Sequence, residues 1–158
     1  MKASTVNELK EELRHRSTKE LIELCTRLAR FKKENKELLT FLLFEAGDEP
    51  GYIAQVKQEI DFQFGEIEKN NSMYLVKKSV RKILRMVNKY IRYTGSKAAE
   101  IELVLHYCRA LKMSGIRMEN SAALTKLYQQ QVLKAEKLLS AFHEDLQYDY
   151  RKQLESLQ

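Results

Sequence analysis

Apolar residues recur at three- and four-residue spacing along nearly the whole chain, and clean alternation of apolar and polar positions occurs nowhere. That period marks amphipathic α-helices, not strands. Thr5-Val-Asn-Glu8 has the Ser/Thr-x-x-Glu pattern of a capping box. A first short helix is therefore expected to run to about Arg14, with Leu9 and Leu13 on its apolar side. Ser17-Thr-Lys-Glu20 repeats the device and opens a second helix carrying Leu21, Leu24, Cys25 and Leu28. The polar stretch 32–36 is expected to join it to a third helix over 36–46. That helix is apolar nearly all round (Leu38, Leu39, Phe41, Leu42, Leu43, Phe44), which predicts a central or interface position. Gly47 is the expected stop.

Pro50 suits the first turn of a fourth helix, continued by Ile53, Val56, Ile60, Phe64 and Ile67 to about Lys69. Asn70, Asn71 and Ser72 form a break, with Ser72 as N-cap of a long helix to Thr94. Gly95-Ser96 ends that helix and caps the next, 97–113, whose inward residues are Ile101, Val104, Leu105, Cys108 and Leu111. Gly115 is the next stop. Asn120 or Ser121 caps a last helical region in which Leu124, Leu127, Val132, Ala135, Leu139 and Leu146 keep helical spacing. A bend or break is expected near 140–143. The pattern predicts an all-α fold, either an irregular multi-helix bundle or a short α-solenoid-like array of about seven helices. No repeat of fixed period stands out.

Composition narrows this further. A chain of 158 residues reads as a single all-helical domain over 1–158, large enough to bury a core without a disulfide or a metal. One Pro and five Gly argue against a meander of turns. Cys25 and Cys108 belong to no ligand-spaced cluster and read as buried free thiols in a reducing, cytoplasmic setting. The N-terminus lacks the apolar stretch of a signal peptide, and the longest apolar run, 38–44, is too short for a transmembrane segment.

Charge changes the picture most. Residues 72–94 carry seven Lys/Arg and no Asp/Glu, against a net charge of +6 for the whole chain. At 100° per residue, Lys77, Arg81, Arg92, Arg85, Lys78, Lys89 and Lys82 fall within roughly 140° of one another. Val76, Val80, Ile83, Leu84, Val87, Tyr90 and Ile91 occupy the other side. The basic stripe is about 23 Å long between Lys77 and Arg92. Its ordinary explanation is a solvated face balanced by the acidic segment 49–71, where Glu59, Asp61, Glu66 and Glu68 are available partners. The alternative is contact with a polyanion, either nucleic acid or an acidic protein surface. Tyr74 lies on the basic side and Tyr93 at its edge.

Catalytic and cofactor signatures are not found. His15, His106 and His143 are scattered, and Glu12-Leu-Arg-His15 is a lone Glu-x-x-His where a di-iron bundle needs two. Glu102 and His106 are helical i,i+4 neighbours, which suggests a surface hydrogen bond. No phosphate-binding glycine loop and no Gly-x-Ser-x-Gly elbow occurs. The expectation is a non-enzymatic protein with no cofactor and no metal.

Two likenesses bear on this. Leu9, Leu13, Lys19-Glu-Leu21 and Arg27-Leu28 resemble the two-helix SAP DNA-binding module, but the loop is shorter and lacks that module's usual glycine, so no role is carried over. Ser17-Thr-Lys-Glu-Leu-Ile-Glu-Leu followed by Asn35-Lys-Glu-Leu resembles the opening of a family of small, uncharacterised all-helical bacterial proteins of the Bacteroidetes type. Lys77-Lys78…Ile83, Ile101-Glu-Leu-Val-Leu-His-Tyr107 and the stretch 122–139 follow in matching order. This chain lacks the aromatic-rich C-terminal segment expected of that family. The resemblance implies an all-α intracellular protein and supplies no chemistry. The resulting expectation is a helical interaction domain that contacts an acidic partner or nucleic acid through its basic helix. The competing expectation is a structural protein that self-associates into a homo-oligomer, with the basic face merely solvated.

Overall fold

The computed structural model describes residues 1–68 and 71–157. Lys69 and Asn70, where the fourth helix is expected to end and the break to begin, lie outside the described residues. Eight α-helices are present among the described residues: α1 (Val6–Arg14), α2 (Thr18–Phe31), α3 (Lys33–Thr40), α4 (Glu49–Gly65), α5 (Met73–Thr94), α6 (Lys97–Met113), α7 (Ala122–Leu139) and α8 (Glu144–Glu155). A π-helical turn, Phe41–Glu45, follows α3, and a 3-10 turn, Met118–Asn120, precedes α7. No strand occurs among the described residues. The fold is all-α, as expected. The count is eight because the expected bend or break at 140–143 is a full break between α7 and α8. The chain divides into two compact units, Met1–Phe44 and Glu45–Gln158.

In the N-terminal unit both capping boxes form. The Glu8 amide donates to Thr5 Oγ1 (3.3 Å) and the Thr5 amide donates to Glu8 Oε2 (2.7 Å). Ser17 and Glu20 repeat the exchange at 3.3 and 2.8 Å. Each box satisfies two amide groups that a helix start would otherwise leave unpaired. Only Lys32 leaves helical geometry between α2 and α3 (φ −140°, ψ 144°), so the expected five-residue connection is a single residue. The Asn35 side chain closes this corner by donating to the Leu28 carbonyl at 2.8 Å. The expected helix over 36–46 is split between α3 and the π turn. Phe41 is buried there, while Leu42, Leu43 and Phe44 are exposed. Gly47 does not adopt the left-handed conformation of a helix stop, which among the glycines belongs to Gly95 and Gly115.

In the C-terminal unit the central element is α6. Ala99, Ile101, Leu103, Val104, Leu105, Tyr107, Cys108 and Leu111 are all buried, and they surround its axis. It packs against α4, α5 and α7, and α8 packs on α7. The end of α8 is tied back by two side chains. Tyr128 OH donates to the Leu157 carbonyl (2.7 Å) and Lys112 Nζ donates to the Ser156 carbonyl (3.0 Å).

α5 begins at the Ser72 cap, whose hydroxyl accepts from the Leu75 amide, and ends at Gly95. Gly95 has φ 62°, a conformation that costs a residue with a Cβ about 1–2 kcal/mol. Val76, Val80, Ile83, Val87 and Ile91, at three- and four-residue steps along most of the helix, are all buried. Each such side chain contributes roughly 1.5–3 kcal/mol relative to exposure. One face of α5 is thereby fixed to the core, and the orientation of its other face follows from it.

Candidate polyanion-binding face

The exposed arc of α5 carries the charges expected of it. Lys78, Arg81, Lys82, Arg85 and Arg92 are exposed, and Lys77 and Lys89 are half-buried. Long basic side chains lay their methylene stems along neighbouring apolar surface and keep the charge in water, so partial burial of Lys77 fits a margin position. The Lys89 ammonium sits 4.8 Å from the centroid of the Tyr90 ring. Tyr74 is 70% exposed on the same arc. Tyr93 is half-buried and stacks edge-on with Tyr90 at 6.1 Å, so its ring is already engaged.

Among the described residues, three acids of the preceding helix have partners away from this stripe. Glu49 Oε1 accepts from the Ser96 hydroxyl (2.9 Å), Glu59 accepts from the Gln63 amide (2.7 Å), and Asp61 lies 2.8 Å from His106 Nε2. Among the described residues, Lys77, Lys78, Arg81, Lys82, Arg85 and Arg92 form no ion pair. Two ion pairs of this unit lie elsewhere. Lys57 holds Glu102 (2.7 Å) and Lys134 holds Glu100 (2.7 Å).

One polar cluster was not foreseen. His106 does not bond its helical neighbour Glu102. It reaches Asp61 on α4, and Glu102 instead accepts from Lys57 and from the Tyr150 hydroxyl (3.3 Å) on α8. These bonds link residues 45 to 48 positions apart, so local spacing carried no signal for them. Burial and the Glu102 carboxylate both raise the Tyr150 pKa above its ordinary value. A shallow cleft of about 480 Å³ beside this cluster is lined by Asp61, Phe64, His106, Arg109 and Met113, among others. The Asp61 side chain is largely in water.

His15 and His143 are exposed. No group of three His, Cys, Asp or Glu that could hold a metal ion occurs among the described residues. No described helix is long and apolar enough to cross a membrane. No family model matches the chain, and neither a curated protein nor a solved structure matches it.

Proposed function

We propose that the chain is a non-enzymatic helical interaction domain that binds an acidic partner or nucleic acid through the α5 face bearing Lys77, Lys78, Arg81, Lys82, Arg85, Lys89 and Arg92. One observation carries this reading. Six of these seven cations form no ion pair among the described residues, although five acids stand in the helix and turn immediately before them. Concentrated positive charge without internal partners raises the local potential and attracts anions. The same reading sets the chain in a bacterial cytoplasm, where its free thiols stay reduced.

The test is retention on a heparin column at low ionic strength, followed by salt elution. The native chain is expected to bind. Arg81→Glu/Arg85→Glu is expected to elute at markedly lower salt, and Lys126→Glu/Lys137→Glu on α7, which makes the same change in net charge, to shift far less. Equal shifts for the two pairs would reduce the face to a contribution to net charge and remove the proposal.

A second reading has its own observation. Leu42, Leu43 and Phe44 are 55, 65 and 77% exposed in consecutive positions. Exposed apolar runs mark interfaces. Here the chain is a homo-oligomer closed through this run, with a solvated basic face. Sedimentation would decide it: a monomer at about 50 μM, far above the Kd of a stable interface, sinks it.

A further inference from the structure

How the charges are spread around α5 distinguishes one polyanion from another. Measured about the helix axis from Lys77, Arg81 stands at about 40°, Arg92 at 60°, Arg85 at 80°, Lys78 at 100°, Lys89 at 120° and Lys82 at 140°. The stripe therefore has two margins and a centre. Lys77 and Arg81 form one margin, and Lys78, Lys89 and Lys82 form the other. Arg85 and Arg92 lie between them. A flat acidic protein surface meets only a narrow strip of a cylinder and would leave one margin in water. A groove walled by phosphates on both sides meets both margins and the centre together.

The dimensions agree. A helix with its side chains is about 10–12 Å across, and the major groove of B-form DNA is about 12 Å wide. The major groove of an RNA duplex is too deep and narrow for side chains to read. The stripe has no carboxylate anywhere over 72–94 to repel a phosphate wall. Its opposite face is fixed in the core by Val76, Val80, Ile83, Val87 and Ile91, so the charged arc is presented outward as one rigid edge.

We infer that α5 lies in the major groove of double-stranded DNA, with Lys77 and Arg81 on the phosphates of one wall, Lys78 and Lys82 on those of the other, and Arg85 and Arg92 towards the base edges. This inference rests on the polyanion reading of the same face. Arginine at the centre suits the role, because its planar fork pairs with the two acceptors of a guanine edge, whereas lysine suits a point contact to phosphate. Tyr74, exposed at the start of the helix and close to Arg92 in azimuth, adds an apolar surface on the groove side.

The experiment is fluorescence anisotropy of the full chain with four labelled probes at a series of salt concentrations. The probes are a short mixed-sequence DNA duplex, one of its strands alone, the corresponding RNA duplex, and polyglutamate. The DNA duplex is expected to bind at least about tenfold tighter than the other three, with log K falling against log salt by about 0.9 per phosphate contact. Lys77→Gln/Lys82→Gln, one residue from each margin, is expected to lower that slope by nearly two contacts. Lys126→Gln/Lys137→Gln is expected to leave it unchanged. All four sites lie on the surface, and an unchanged helical circular dichroism spectrum confirms folding of each variant. Equal affinity for the single strand or the RNA duplex overturns the groove placement and leaves the polyanion reading standing. Tighter binding to polyglutamate overturns it in favour of an acidic protein. Absence of binding to every probe at the lowest salt overturns the polyanion reading itself.

Discussion

The Tyr107 hydroxyl donates to the Val80 main-chain carbonyl across 3.2 Å, tying the middle of the central helix α6 to the backbone of α5 beneath its basic arc. Tyr107 is buried, and its ring packs on Phe64 at 5.6 Å between centroids. Burial raises the phenol pKa far above its ordinary value, so the hydroxyl keeps its proton and remains a donor. Tyr107→Phe keeps the ring and removes the bond. The expected cost is about 0.5–1.5 kcal/mol, the net worth of an ordinary hydrogen bond. Urea unfolding reads it as a lower midpoint at unchanged slope. Heparin retention should not change, because the apolar contacts of α5 still hold the helix in place. A midpoint equal to that of the native chain would show that the bond contributes nothing.

What could be read from sequence was local. Both N-terminal capping boxes, the caps at Ser72, Ser96 and Ser121, and the left-handed glycines at Gly95 and Gly115 stand where three- or four-residue patterns placed them. The segregation of charge on α5 was legible for the same reason, since one helix fixes its own azimuths. Burial decided by the rest of the fold was not legible. Leu103 and Tyr107 face away from the apolar stripe read on α6, yet both are buried because α6 is packed on several sides. The run 38–44 predicts a central or an interface position, and the exposure of Leu42, Leu43 and Phe44 removes only the central one, because composition alone does not say which apolar helix occupies the centre. His106 found Asp61 and not Glu102, because tertiary packing offered a partner that spacing along one helix does not reveal.

The two capping boxes predict a definite pH response in the N-terminal unit. Hydrogen bonds from the Thr5 amide and hydroxyl lower the Glu8 pKa below its ordinary value of 4.5, and those from Ser17 do the same to Glu20. A carboxylate whose pKa is lowered by folding stabilises the folded state above its unfolded value. That stabilisation fades as pH falls through the lowered value. Helicity of α1 and α2 should therefore be full above about pH 5 and decline on further acidification. Carbon-13 titration of the two side chains is expected to give pKa values below that of an unstructured glutamate. Glu8→Gln/Glu20→Gln should lose part of the acid-dependent change. Titration of Glu8 and Glu20 at the ordinary value would mean that the boxes do not form in solution.

The two cysteines report on the packing under the basic face. Cys25 is exposed, and Cys108 is buried in α6 beside Tyr107, where burial pushes its pKa up to about 12. Thiolate is the reactive form, so Cys108 is shielded both by access and by protonation. A thiol reagent at pH 8 should label one cysteine per native chain quickly, and both in denaturant. Slow labelling of Cys108 in the native protein then measures opening of the core that supports α5. A polyanion that binds only the folded chain lowers the population of that open state by a factor of 1 + [L]/Kd. Short duplex DNA at ten times its Kd should accordingly slow Cys108 labelling about tenfold. Cys25 provides the internal control, since its labelling does not require the core to open. Rapid reaction of both thiols in the native chain would contradict the buried position of Cys108. Slowing of both alike would mean that the nucleic acid screens the reagent and does not stabilise the fold.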